Sequence, residues 1–402
     1  MREANRRQHG HGNHHRRHHH RQPDADEDGH DGADGGGDAT PPPPPKRKRK
    51  ERLLNLNQGI MTPARLPPVQ LTADARGEIH FHVIGDWGGP GREPQRQVAE
   101  SMAVEVRQRG AAPPTTALGA EDGDGGTPRP LSFVVSTGDN IYEDGAASVH
   151  DPRFRRNFEN VYTQPELQVR WYMSLGNHDH GAHGVFRDVF AEVNYTQKSK
   201  RWFLPSTFYH QHFDVAPAAA EDGGAGERFD VDLFVLDTYD VSPHMTKMSA
   251  HQLKWLRHAL SRAARRSPTG WRLVVGHRPI FSTGKLHGSS QYMQQQLLPT
   301  FREFDVSAYF CGDDHQLQVM RKDGMLFVVS GAGARSKHGS DLRAPLPNVT
   351  LFQDPSYGFV AVHLGADTMQ VQVWDHRTKE LFATSHLRRR EHPAPPKSAV
   401  GE

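Results

Sequence analysis

Five short apolar runs in this chain each end on a small residue or glycine and pass at once into side chains able to hold a metal. Ile84 leads into Gly85-Asp86-Trp87-Gly88-Gly89, and Ser136 into Thr137-Gly138-Asp139-Asn140-Ile141-Tyr142. Leu175 leads into Gly176-Asn177-His178-Asp179-His180, Val275 into Gly276-His277-Arg278-Pro279, and Cys311 into Gly312-Asp313-Asp314-His315. One Gly-Asp pair after a strand is a common turn, because Asp hydrogen-bonds its own backbone there. Five such endings constrain the fold far more. In a layered α/β domain the carboxyl ends of the strands open on one crevice, so polar groups distant in sequence meet there. The pattern predicts one polynuclear metal site built from loops.

The rest of the chain fits such a domain. Residues 79–84, 131–136, 171–175, 232–236, 272–275, 308–311 and 326–330 read as strands. Residues 94–109 and 251–264 read as helices, the second with Leu253, Leu256, Leu260 and Ala263 on one face. Strands alternating with helices argue a layered α/β architecture. Residues 357–364 and 369–374 add a late β hairpin, and the Gly/Ala/Pro-rich stretches 110–130 and 216–227 read as surface insertions. Residues 1–77 carry His/Arg and Asp/Gly stretches, five prolines at 41–45 and the basic run 46–50. They hold too little apolar surface to offset their chain entropy and are expected to be disordered. The expected domain is 78–388, followed by a disordered basic tail over 389–402.

Composition removes several classes. The single cysteine, Cys311, cannot form an internal disulfide, so a metal site must use His, Asp, Asn or Tyr. With 49 Lys+Arg against 47 Asp+Glu, bulk charge predicts no nucleic-acid partner beyond weak contact through the basic tail. No run approaches the roughly eighteen apolar residues of a spanning helix, so no membrane partner is expected. The start lacks the apolar core of a secretory signal, and the basic run at 46–50 resembles a nuclear import signal. A cytoplasmic or nuclear protein is expected, with the secretory route as the alternative if the start codon is mis-set. A Gly-x-Ser-x-Gly elbow and a P-loop are both missing from the sequence, and Cys311 has apolar neighbours, which argues against nucleophilic Ser or Cys chemistry.

Residues 79–364 resemble the metallophosphoesterase superfamily, and within it the mammalian-type purple, tartrate-resistant acid phosphatases. The similarity lies in Gly-Asp-Trp-Gly-Gly, Gly-Asp-Asn-x-Tyr, Ser199-Lys200-Arg201-Trp202 with Pro205-Ser206-x-Phe208-Tyr209, and Gly331-Ala332-Gly333. It implies an α/β fold, the calcineurin-like four-layer α-β-β-α sandwich. It implies two metal ions, Fe(III) with Fe(II), Zn or Mn, and a phosphate-ester substrate. Asp86, Asp139, Tyr142 and His315 would surround the first ion, Asp139 bridging to the second, and Asn177 and His277 would belong to the second. A Tyr142 phenolate would favour Fe(III) and give the family its colour. His178 and His287 would face substrate, and metal-activated water would attack phosphorus. The activity implied is phosphomonoester hydrolysis, on aryl phosphates and phosphoproteins, by a monomer. A phosphodiesterase or nucleotide hydrolase is the alternative within the superfamily.

One motif departs from the family. Its last cluster usually reads Gly-His-Asp-His, whereas here it is Gly312-Asp313-Asp314-His315. Asp313 stands where a histidine ligand of the second metal is expected, with Asp314 beside it in a supporting role. Either the Asp313 carboxylate coordinates after a small shift, or the second metal binds weakly and the chain is a catalytically weakened metal-binding interaction protein. An added anion is also expected to make bound water less acidic and to raise the pH optimum. Mammalian relatives carry a clipped loop between the segments corresponding to 238 and 251. That stretch is short here, so limited digestion of the intact protein is expected to give no large gain in activity; a large gain would contradict this.

Overall fold

A strand covered on both faces needs apolar or fully satisfied residues at every position, and the central strands here have them. In a computed structural model, β1 (Val69–Thr72), β2 (Ile79–Ile84), α1 (Glu93–Ala111), β3 (Phe133–Ser136), β4 (Trp171–Met173), α2 (Phe190–Tyr195), β5 (Trp202–Phe203), β6 (Tyr209–Ala216) and β7 (Phe229–Val235) form the first half. The second half comprises α3 (Ala250–Arg266), β8 (Trp271–Val275), α4 (Gln291–Glu303), β9 (Ala308–Cys311), β10 (Leu317–Lys322), β11 (Met325–Ser330), β12 (Thr350–Asp354), β13 (Gly358–Leu364), β14 (Thr368–Asp375), β15 (Glu380–Ala383) and β16 (Leu387–Arg388). The structure describes residues 63, 66–89, 91–111, 130–181, 187, 189–218, 227–239, 248–336, 342–384 and 387–388. The chain divides into residues 1–51 and 52–402, and all described residues belong to the second unit. The stretches 1–62 and 389–402, the core of both insertions and residues 240–247 lie outside the described residues.

Two eight-stranded sheets result. One runs β1-β6-β7-β8-β9-β11-β10-β12; the other runs β15-β14-β13-β2-β3-β4-β5, with β16 also on β14. The sheets face each other through aromatic contacts: Phe133 stacks on Phe213 at 4.9 Å between ring centres, and Phe81 meets Phe310 edge-on at 6.1 Å. Leu256, Leu260 and Ala263 of α3 and Met293, Leu297 and Phe301 of α4 share a buried cluster with Phe234 and Val274 of the first sheet. Helix α1 covers the second sheet, so the layers are α-β-β-α as expected. Within the sheets β2, β3 and β4 are parallel, and so are β7, β8 and β9. Their carboxyl ends therefore carry the five polar endings.

Nine elements went unread in the sequence, β1, β5, β6, β10, β12, β15, β16, α2 and α4, and two of them are instructive. Val69–Thr72 falls inside the stretch expected to be a tail, yet it pairs with β6 in parallel, Val69 opposite Phe213. The ordered domain thus begins earlier than 78. Four residues at a sheet edge are too few to announce a period of two. Helix α4 was missed because it contains Pro299, which reads as a breaker; Ser290 caps it, accepting from Met293 N–H at 3.3 Å, and Met293, Leu297 and Phe301 recur at intervals of four on its buried side.

The sequence Ile-His-Phe-His-Val-Ile of β2 gives one apolar and one histidine face. Phe81 and Val83 enter the core between the sheets, while His80 and His82 are buried on the other face. His82 Nε2 lies 2.7 Å from Glu105 of α1, His80 Nε2 3.0 Å from Asp74, and His80 Nδ1 3.0 Å from His363 Nδ1. Burial, opposed only in part by the Asp74 hydrogen bond, pushes His80 down to about 3, and burial likewise lowers His82. The unfolded chain takes up protons below about pH 6.5 that the folded histidines refuse, so this stability is complete above that pH and falls toward pH 3. At pH 5 His80 alone is expected to cost about 2 kcal/mol. Denaturant midpoints measured from pH 7 to 4 should fall, and His80→Asn should flatten that slope; an unchanged slope would contradict the assignment.

Candidate metal centre

The three aspartates that open this site share a backbone conformation most side chains avoid. Asp86, Asp139 and Asp313 have φ of 56°, 55° and 68°, the left-handed region that Asp and Asn enter more readily than other non-glycine residues. The neighbouring glycines are required by close approach. A Cβ on Gly312 would stand 2.2 Å from Asp86 Oδ2, and one on Gly176 would stand 2.2 Å from Asp139 Oδ1. The backbone amide of Asp313 donates to Asp86 Oδ2 at 3.1 Å, tying the end of β9 to that of β2 across the sheets.

Asp86, Asp139, Tyr142 and His315 come together. The Tyr142 hydroxyl donates to Asp139 Oδ2 at 2.7 Å and to Asp86 Oδ1 at 3.1 Å, and His315 Nε2 lies 3.3 Å from that Asp86 oxygen. One donor atom from each of Asp86, Asp139 and His315 falls within 4.8 Å of the others. Both carboxylates are essentially buried. Burial raises the Tyr142 hydroxyl well above its ordinary range, and the two carboxylates add to that, so only a strong cation would draw the phenol into its ionised form.

The other Asp139 oxygen faces a second donor set. Asp139 Oδ1 lies 3.4 Å from His277 Nε2, which is 3.5 Å from Asp313 Oδ1. His277 Nδ1 is 2.8 Å from the Thr137 carbonyl, an acceptor, so a ring hydrogen sits on Nδ1 and Nε2 is the atom left to take a proton or a metal. His277 Nε2 and Asn177 Oδ1 are buried with no hydrogen-bond partner. Orphaned electron-pair donors beside buried carboxylates are costly unless a cation satisfies them, so this donor set fits a metal. Burial would lower the His277 pKa, but Asp139, Asp86 and Asp313 raise it well above 6.5; the same charges favour a metal cation in place of that proton.

The two other histidines line the same crevice. The His178 backbone amide donates to Asp139 Oδ1 at 3.0 Å, its Nε2 is 3.9 Å from Asp139 Oδ2, and its Nδ1 contacts the Glu143 carbonyl. His287 Nε2 lies 3.2 Å from Asp313 Oδ1. These contacts link eight of the nine residues singled out in the sequence, and Asn177 lies between Gly176 and His178 on the loop that reaches Asp139. His180 turns aside instead, with Nε2 3.0 Å from Asp237.

Supporting residues surround the site; the sequence already points to Asp314 in that role, whereas Asp179, Tyr239, Arg278 and Arg335 escaped the sequence reading. Asp314 is fully buried and fixes the His287 loop: Oδ1 accepts from His287 N–H and Oδ2 from Gly288 N–H, both at 3.0 Å, and Ser282 Oγ also donates to it. Asp179 accepts from the amides of Gly176, Asn140 and Ile141 at 2.8, 2.9 and 3.0 Å, holding the β3 and β4 endings together. The Tyr239 hydroxyl and Arg278 Nη1 reach Asp313 Oδ2 at 2.9 and 3.1 Å, and the Arg335 guanidinium lies 4.2 Å above the Tyr142 ring. Arg278 and Asp179 were visible inside the quoted motifs; Tyr239 and Arg335 carried no local signal.

Residues 79–317 match the model of the calcineurin-like phosphoesterase family. The chain belongs to that family, and its fold and crevice are those of a metallophosphoesterase. Within it the similarity is to purple acid phosphatases. The human tartrate-resistant acid phosphatase type 5 is 32% identical over 344 residues, 80% of this chain and 95% of that one. Purple acid phosphatase 3 of Arabidopsis thaliana is 31% identical, covering 74% of this chain and 75% of the other. Among solved structures, GAP50, the anchor in the inner membrane complex of Plasmodium, superposes with a TM-score of 0.63 at 20% identity over 78% of this chain and 90% of that one, a likeness of fold. The chain is a hydrolase with a dinuclear metal centre. Among the described residues, no helix is long and apolar enough to cross a membrane.

Because the Asp314 carboxylate's hydrogen bonds run to Ser282, His287 and Gly288, Asp314→Asn is expected to leave metal content unchanged while lowering kcat/KM for an aryl phosphate about tenfold or more. Loss of metal in that variant would show that Asp314 acts on the centre itself.

Proposed function

We propose that this chain is an acid phosphatase that hydrolyses phosphate monoesters, aryl phosphates and phosphoproteins among them, at its paired metal site. The observation that carries the reading is the division of Asp139: one oxygen meets the Tyr142 and Asp86 group, and the other meets His277. A carboxylate so placed suits two cations rather than one. In this reading Asp86, Asp139, Tyr142 and His315 hold the first ion, and Asp139, Asn177, His277 and Asp313 hold the second. A phenol donor favours Fe(III), with Fe(II), Zn or Mn beside it. Such a pair, when bound, acidifies water and offsets the charge on a transferring phosphoryl group.

The chain's own groups then orient and protonate. His178 stands over the Asp139 edge of the crevice, where an imidazole can give a proton to the leaving alkoxide or phenolate. His287, on the loop fixed by Asp314, donates to a phosphoryl oxygen. The domain for this activity runs from β1 to about residue 388, acts as a monomer and needs no nucleic-acid or membrane partner. A cytoplasmic or nuclear setting is part of the same proposal.

The test is turnover of 4-nitrophenyl phosphate against its bis ester, with elemental analysis and a visible spectrum of the same sample. About two metals per chain, a tyrosinate-to-iron band and faster monoester turnover are expected. His178→Asn should cut kcat by about 10²–10⁴ with metals retained. Faster diester turnover would move the reading to a phosphodiesterase, and one metal or none without turnover would leave an interaction protein.

A further inference from the structure

Asp313 is the one expected metal donor whose charge differs from the family pattern, and its two oxygens have different surroundings. Oδ1 lies 3.5 Å from His277 Nε2 and 3.2 Å from His287 Nε2, on the side of the second donor set. Oδ2 accepts from the Tyr239 hydroxyl at 2.9 Å and from Arg278 Nη1 at 3.1 Å. Arg278 Nη1 also lies 3.2 Å from the Tyr239 hydroxyl and 3.1 Å from His287 Nδ1, so a single nitrogen knits the group together. Arg278 follows His277 directly at the end of β8, with its backbone amide on Thr238 Oγ1 at 3.0 Å, which limits where its side chain can go. The Asp313 side chain is 2% exposed and that of Arg278 17%, so their attraction is little screened by solvent.

We infer that Arg278 is the charge partner that lets Asp313 take a neutral histidine's position, the ion pair as a whole serving the second metal as one uncharged ligand. Asp313 offers Oδ1 to the metal while Arg278 and Tyr239 hold Oδ2. A carboxylate alone would add a negative charge to the centre; a carboxylate with its guanidinium adds none. A histidine introduced at 313, neutral as a ligand, would leave the Arg278 guanidinium beside the metal without its counter-charge. The inference rests on the reading of Asp139, His277 and Asp313 as the second metal's donors. It replaces the expectation that Asp313 raises the pH optimum, because the added anion is already balanced.

The test is a cycle of wild type, Arg278→Gln, Asp313→His and the double variant, each full length. Zinc binding is followed by competition with a chromophoric chelator, and elemental analysis counts equivalents. In the wild-type background Asp313→His is expected to weaken the second zinc equivalent at least tenfold. In the Arg278→Gln background the same change is expected to alter it less than about threefold. Equal effects in both backgrounds, or tighter zinc binding by Asp313→His alone, would overturn the inference while leaving two metals in the wild type. A wild type that binds fewer than two equivalents would instead remove the dinuclear reading on which it rests. Retention of the first equivalent and an unchanged circular dichroism spectrum control for folding; should Asp313→His not fold, Asp313→Asn enters the cycle in its place, with the same expected dependence on Arg278.

Discussion

Three carboxylates buried in one crevice repel one another unless positive charge stands among them, and the structure is arranged around that demand. Asp86, Asp139 and Asp313 each leave a strand through a left-handed residue, and glycines beside them make room for the carboxylate of another loop. Arg278 supplies positive charge locally, and His277 and His315 answer the carboxylates by gaining basicity. Two cations would answer more fully, since each meets donors from both sheets. The site is thus a product of topology: parallel strands in each of two facing sheets deliver their carboxyl ends to one edge.

Supporting polar groups keep that edge in shape. Asp179 gathers three amides from the endings of β3 and β4, Asp314 gathers two from the His287 loop, and the Asp313 amide on Asp86 links the sheets. Each is a buried carboxylate satisfied by backbone N–H groups, which fixes loops that carry no regular structure. The opposite face of β2 shows a different use of burial. There His80 and His82 are kept neutral beneath α1, so the fold of this acid phosphatase relative carries a built-in sensitivity to acid away from its crevice.

Much of this could be read from the residues. The apolar runs ending in Gly-Asp, Gly-Asn-His-Asp and Gly-His signalled both the strands and the convergence, because the same residues terminate a strand and project donors. What stayed hidden depends on contacts between distant segments. Val69–Thr72 is legible as a strand only through its pairing with β6, and α4 is legible as a helix only once the packing of Leu297 and Phe301 outweighs Pro299. Arg278 is adjacent to His277 in sequence, yet its role depends on Asp313 thirty-five residues away, and Tyr239 joins them from the turn after β7. The substitution of Asp for His at 313 was visible at once; the partner that balances it was not.

The most direct measurement of the central claim is anomalous diffraction from crystals of the metal-loaded protein, collected at the iron edge and at that of the second metal. Two peaks are predicted, one beside Tyr142 and His315 and one beside His277 and Asn177, about 3.5–4 Å apart with Asp139 between them. A single peak, or peaks remote from Asp139, would contradict the account.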